Sequence, residues 1–190
     1  MTDHRLRYLW GIMLLFILTC LGWAQHRRDP LTQEEIAQVR DTSWEPKLRL
    51  PLYVQFARAR LVKLEEARID PKSKDRARQT HDMLDDFELL YDELNDNIDT
   101  YVERRDDIRK PLKIVIDADI EFQAKLRALK DAADVPRQEA QQYEFVLTNA
   151  IETLDSSAED HRKLLADQEE AAKHKKLNKD PSKGTGVSPE

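Results

Sequence analysis

From Trp23 to Lys183 the chain contains no glycine; its four glycines are Gly11, Gly22, Gly184 and Gly186. Phosphate-cradling loops, Rossmann turns, nucleophile elbows and EF-hand calcium loops use glycine where a side chain would clash or φ must be positive. That long stretch therefore lacks the means to build them. Two-residue β-hairpin turns also lean on glycine, although Asn and Asp can substitute, so an all-β fold is disfavoured.

Prolines at 30, 46, 51, 71, 111, 136 and 181 punctuate the chain, and apolar residues between them follow helical spacing. Asp29 before Pro30 reads as a cap and a favoured first helical residue, opening a short helix to about Arg40. A second helix should run from about Pro46 to Ile69, with Pro51 either kinking it or marking its true start. From Lys74 onward, Leu84, Phe87, Tyr91, Leu94, Ile98, Tyr101, Arg105 and Ile108 recur in steps of three and four, a heptad seam. The seam continues in phase through Pro111 as Leu112, Val115, Asp119, Phe122, Leu126 and Leu129, which favours one kinked helix over a reversal. A reversal stays open, because proline biases the preceding residue away from helix.

Leu112, Ile114, Ile116, Ala118, Ile120 and Phe122 alternate as a strand would. No second run of that kind exists to pair with it, so helix is the better reading. After Pro136 the last helix carries Tyr143, Leu147, Ala150, Leu154, Ser157, His161 and Leu164 at heptad spacing, and could reach Lys176. Met83, Leu90, Ile116, Phe145, Val146 and Ile151 widen the apolar stripes beyond what a two-stranded coiled coil needs, so more than two helices should meet. The best packing is expected around residues 112–126 and 139–154.

Charged residues make up 36% of the chain, against roughly 25% in typical globular proteins, which points to narrow apolar stripes with wide solvated faces. With 31 basic and 37 acidic residues the net charge is −6. That lacks the basic excess of a nucleic-acid binder, so nucleic acid is not an expected partner.

The N-terminus reads as an export signal. Arg5 and Arg7 precede an apolar run from Tyr8 to Leu21, and Gly22 and Ala24 place small residues at −3 and −1 of a peptidase site. Cleavage between Ala24 and Gln25 is expected, giving an exported protein of the periplasm or extracellular space. The alternative is an uncleaved membrane anchor, since the run approaches the roughly 17 residues that just span a bilayer. A lipidated Cys20 is a third option, weakened by Leu18 and Thr19 where small residues usually stand. Cys20 is the sole cysteine, so the cleaved chain forms no disulfide and relies on packing.

One acidic band stands out on the third helix: Asp85, Glu88, Asp92, Asp96, Asp99, Glu103 and Asp106. It is either an interaction surface for a cation or basic partner, or a solvated face partly paired with Arg58, Arg60, Lys63 and Arg68; the second is the plainer reading. No Glu-x-x-His pair of the di-iron type occurs, because Arg78, Ala158 and Ala171 stand three before His81, His161 and His174. Glu170 and His174 offer one weak bidentate metal site near a fraying end. His161 falls on the seam, where packing is more common than catalysis, and Ser156 and Ser157 nearby lack an oxyanion hole. Arg105 and Asp119 interrupt the long seam, either fixing register or snorkelling to water. Tyr91, Tyr101, Phe122 and Tyr143 read as core, while Lys173, Lys175, Lys176, Lys179 and Lys183 form a diffuse basic tail.

The expectation is thus an all-α fold: an elongated bundle of three to four long antiparallel helices with coiled-coil-like heptad seams and a short N-terminal helix. Residues 1–24 form the signal peptide, 25–177 the bundle and 178–190 a disordered tail. No catalytic residue, cofactor or metal is expected. The role read from this is structural or protein-binding, through an unidentified partner or self-association, with capture of a cation or small ligand as the alternative.

Overall fold

A computed structural model describes residues 29–132 and 135–179, with side chains through residue 175; the expected signal peptide, the Ala24–Gln25 junction and residues 180–190 lie outside the described residues. The described chain is all-helical and contains no strand. Its helices are α1 (Gln33–Asp41), α2 (Pro46–Ile69), α3 (Arg76–Glu103), α4 (Arg109–Lys130), α5 (Arg137–Ala140) and α6 (Glu144–Lys179). None of them is long and apolar enough to cross a membrane.

Local chemistry sets the boundaries, and several differ from the sequence reading. Helix α1 opens at Thr32 rather than Pro30, because Thr32 and Glu35 form a reciprocal capping box: the Thr32 hydroxyl accepts from the Glu35 amide at 3.2 Å, and Glu35 accepts from the Thr32 amide at 2.8 Å. Asp29 instead accepts the Leu31 amide at 2.9 Å, closing a turn ahead of the helix. Helix α2 starts at Pro46 and passes through Pro51 without ending. The last helix is split by the short α5 and a turn before α6. Helix α6 then includes Asn178 and Lys179, expected to be tail.

The largest correction is at Arg105. The chain does not continue as one kinked helix; α3 stops at Glu103 and the chain turns back. Arg105 takes φ 61°, the Asp106 amide donates to Tyr101 O at 2.9 Å, and the Arg105 amide donates to Val102 O at 2.9 Å. This is the Schellman C-terminal motif, built with arginine where glycine usually supplies the left-handed residue. Arg105 is exposed, not a seam residue. Pro111 then falls in the first turn of α4, where amides lack helical partners in any case.

The reversal brings Phe87 and Phe122 edge to face with ring centroids 5.3 Å apart. In a continuous helix residues 35 positions apart would be separated by about 50 Å. Cross-helix contacts give the directions. Antiparallel pairs are α2 with α3, where Tyr53 lies against Asn97 and Arg60 faces Asp86, and α4 with α6, where Lys113 meets Glu169 and Arg127 meets Asp155. The two pairs lie side by side with like directions adjacent: Arg58 and Glu65 on α2 reach Glu121 and Lys125 on α4, and Glu88 and Asn95 on α3 reach Asn149 and Ser157 on α6. Helices α3 and α4, consecutive in sequence, are therefore not the main neighbours of each other.

Buried side chains line every long helix: Leu50, Val54, Ala57, Leu61 and Leu64 on α2; Leu84, Phe87, Tyr91, Leu94, Ile98 and Tyr101 on α3; Leu112, Val115, Phe122 and Leu126 on α4; Leu147, Ala150 and Leu154 on α6. Each large apolar side chain so buried contributes roughly 1.5–3 kcal/mol. The core is thus broader than residues 112–126 and 139–154, since α2 against α3 is the most extensive pairing. Phe145, expected to widen a stripe, is 85% exposed instead.

Candidate functional site

At the level where α3, α4 and α6 meet, three polar side chains sit inside the apolar core. Asp119 is 1% exposed, Tyr91 1% and His161 4%. The Tyr91 hydroxyl donates to Asp119 Oδ1 at 2.8 Å, and His161 Nδ1 lies 2.9 Å from Oδ2. Where Asp119 accepts from both partners, the imidazole proton of this contact sits on Nδ1. Tyr91 stacks on Phe87 at 5.8 Å, and its ring lies 6.4 Å from that of His161. Burial, reinforced by the Asp119 charge, pushes the Tyr91 phenol far above its ordinary value, so it remains a donor.

Both carboxylate oxygens are thus engaged, and each partner comes from a different helix. Asp119 is buried and hydrogen-bonded on both oxygens, so it does not snorkel to water. Tyr91, Tyr101, Phe122 and Tyr143 are all buried, as core residues should be.

A second polar junction anchors α1. Arg60, 3% exposed on α2, donates to Glu35 at 2.8 and 2.5 Å and to the Pro30 carbonyl at 2.5 Å, with Asp86 3.9 Å away. Burial would raise the Glu35 carboxyl. The Arg60 hydrogen bond and the Thr32 amide outweigh it and hold the group below its ordinary value. Composition gave no hint of this junction, though Arg60 stands three residues after the buried Ala57, on the stripe itself.

Near the paired ends of α2 and α3, Arg49, Asn97 and Tyr101 are buried, and Arg49 Nε, Asn97 Oδ1 and the Tyr101 hydroxyl have no hydrogen-bond partner among the described residues. Arg49 stacks its guanidinium 3.9 Å from the ring centroid of Trp44, which is 53% exposed. Trp44 and Ser43 both take positive φ in the turn between α1 and α2. The available signal was Asn97, beside the seam and one helical turn before the seam residue Tyr101.

The acidic band lies where its spacing put it, along one face of α3. Asp92, Asp96, Asp99 and Glu103 are exposed, while Asp85 and Glu88 are half-buried. Asp106 falls beyond the helix, in the reversal, and pairs with Arg104 at 3.2 Å. Glu88 accepts from Asn149 of α6; burial, then the neighbouring Asp92 charge, raise its carboxyl above the ordinary value. The α2 bases proposed as neutralising partners point elsewhere: Arg58 pairs with Glu121, Arg60 with Glu35, and Arg68 with Glu139 and the Tyr143 hydroxyl. Lys63 acts electrostatically on Glu35.

Beside the band a groove of about 540 Å³ is lined by Asp29, Pro30, Leu89, Asp92, Glu93, Asn95 and Asp96. Among the described residues no three His, Cys, Asp or Glu side chains converge as metal ligands. Glu170 and His174 do approach at 3.6 Å, both largely exposed. No family model, curated protein or solved structure matches the chain.

Proposed function

We propose that the chain is an exported, non-catalytic helical protein of the cell envelope or extracellular space, which uses its long helix faces to bind a protein partner or another copy of itself. In this reading the four long helices act as one elongated bundle, with coiled-coil-like heptad seams inside and charged faces outside. The observation that carries it is the α3 face, where Asp92, Asp96, Asp99 and Glu103 are exposed while the α2 arginines are committed to other carboxylates. Such a row of like charge spans about 27 Å of helix from Asp85 to Glu103 and complements a basic surface. His161 supports the non-catalytic part, because it is closed on Asp119 and shielded from solvent. Export rests on the N-terminal sequence pattern.

Affinity capture from envelope extract tests this. The chain is compared with a variant carrying Asp92→Asn, Asp96→Asn, Asp99→Asn and Glu103→Gln, its helicity checked by circular dichroism. Loss of a captured protein in the variant supports the acidic face as the surface; identical capture by both removes it.

A second reading, capture of a cation or small ligand, draws on the groove beside Pro30 with its four carboxylates Asp29, Asp92, Glu93 and Asp96. Thermal melts across a panel of divalent ions separate the two. A metal-dependent rise in midpoint favours capture, and an unchanged midpoint across the panel eliminates the cation version.

A further inference from the structure

The strand-like alternation of residues 112–122 leaves apolar groups that the core does not use. Helix α4 buries Leu112, Val115, Ala118, Asp119, Phe122 and Leu126. Its opposite side carries a second stripe in steps of four, three, four and three, Lys113, Asp117, Ile120, Ala124 and Arg127, which Asp131 at the C-cap extends by a further step of four. All six are exposed, and Ile120 retains 60% of its surface. Steps of three and four keep them on one face, about 27 Å long.

The stripe is palindromic about residue 122. Inverted on itself, it sets Lys113 opposite Asp131, Asp117 opposite Arg127, and Ile120 opposite Ala124. Every charged position thus meets its opposite sign, and the apolar positions meet each other at the centre. A twofold interface demands such self-complementarity, because each pair must occur twice. Lys113 and Arg127 also touch Glu169 and Asp155 of α6, yet their side chains remain 59% and 54% exposed. No described side chain is paired with Asp117.

We infer that the outer face of α4 docks antiparallel on the α4 face of a second copy of this chain. This rests on the reading that the helix faces serve binding, and names one of the partners. Asp117 and Arg127 fix the register, and Ile120 and Ala124 supply the apolar centre.

Sedimentation equilibrium of the chain, purified in the form the cell accumulates, tests this with Asp117→Arg and Arg127→Glu. Either change alone puts like charges across the twofold axis. Each variant should raise the monomer–dimer Kd at least roughly tenfold. Mixed in equal amounts, the two restore both opposite-sign pairs in a heterodimer, and the Kd should return to within about threefold of the parent's. Circular dichroism and urea melts establish that both variants fold. A parent chain that stays monomeric, variants that dimerise like the parent, or a mixture that stays monomeric would each overturn the inference. Capture of another protein on the acidic α3 face would leave the broader reading standing in that event.

Discussion

Asp119 Oδ2 lies 2.9 Å from His161 Nδ1 with both side chains sealed in the core, so the one buried carboxylate of α4 ties that helix to α6 while its other oxygen holds Tyr91 of α3. The Tyr91 hydroxyl, both Asp119 oxygens and His161 Nδ1 are all engaged inside the core. The network joins side chains of three helices, α3, α4 and α6, at one level of the core.

Asp119→Ala should destabilise the fold by on the order of 3 kcal/mol, because it strands the Tyr91 hydroxyl and the His161 Nδ1–H in the core. Tyr91→Phe should cost less, about 1–2 kcal/mol, since Asp119 keeps its imidazole donor. Urea unfolding gives both values; equal, near-zero costs would contradict the network.

At Arg105 the sign of a mutational effect reports the topology. Arg105→Gly should stabilise by about 0.5–1 kcal/mol, because glycine relieves the positive φ. Were residues 76–130 one kinked helix, the same change would destabilise by about 1 kcal/mol. A thermal melt distinguishes the two.

Arg60→Met keeps the buried stem and removes the hydrogen bonds to Glu35 and the Pro30 carbonyl. Helix α1 should detach at a cost of about 2–3 kcal/mol, read as lost amide protection over residues 33–41 with α2 to α6 still protected. Unchanged protection of α1 would show that its docking rests on Val39 and other apolar contacts.

Acid should release the same helix. Glu35 titrates lower in the fold than its ordinary 4.5, so its stabilisation is complete above that pH and is lost as pH falls through the folded-state value. Glu88 is shifted upward, so its protonation works in the opposite direction and does not weaken α3. Protection of the α1 amides, taken relative to their intrinsic exchange rate at each pH, should fall below about pH 4.5, and Glu35→Gln should flatten that dependence. An α1 equally protected at pH 6 and pH 3 would refute it.

How far the sequence carried the structure depended on which physics was periodic. Leu84 to Tyr101 and Leu112 to Leu126 are buried where the heptad counting placed them, and the Asp92 to Glu103 face is exposed, because side-chain direction in a helix follows from spacing alone. Arg105 read as an interruption of the seam rather than as a helix end because the usual cue for a Schellman turn is glycine, and the fold bears the conformational cost of arginine there. Tyr101 and Ile108 are both buried although no helix joins them, so their seven-residue interval is a coincidence. Arg60, Glu35 and the Arg49, Asn97 and Tyr101 cluster were hidden because charged residues read as solvated faces until the partner helix is known.

The reversal at Arg105 is what closes the core on Asp119, and the proposed reading places binding on the outer helix faces, so the distance between α3 and α4 tests the account most directly. Paired nitroxide labels at Arg78→Cys and Lys130→Cys, in an otherwise cysteine-free chain diluted with unlabelled protein, report it by electron double resonance. The account predicts a separation below about 30 Å, two to three helix diameters across the packed helices. A single kinked helix would hold the labels on the order of 70–80 Å apart, and a distance in that range would contradict the fold and the reading built on it.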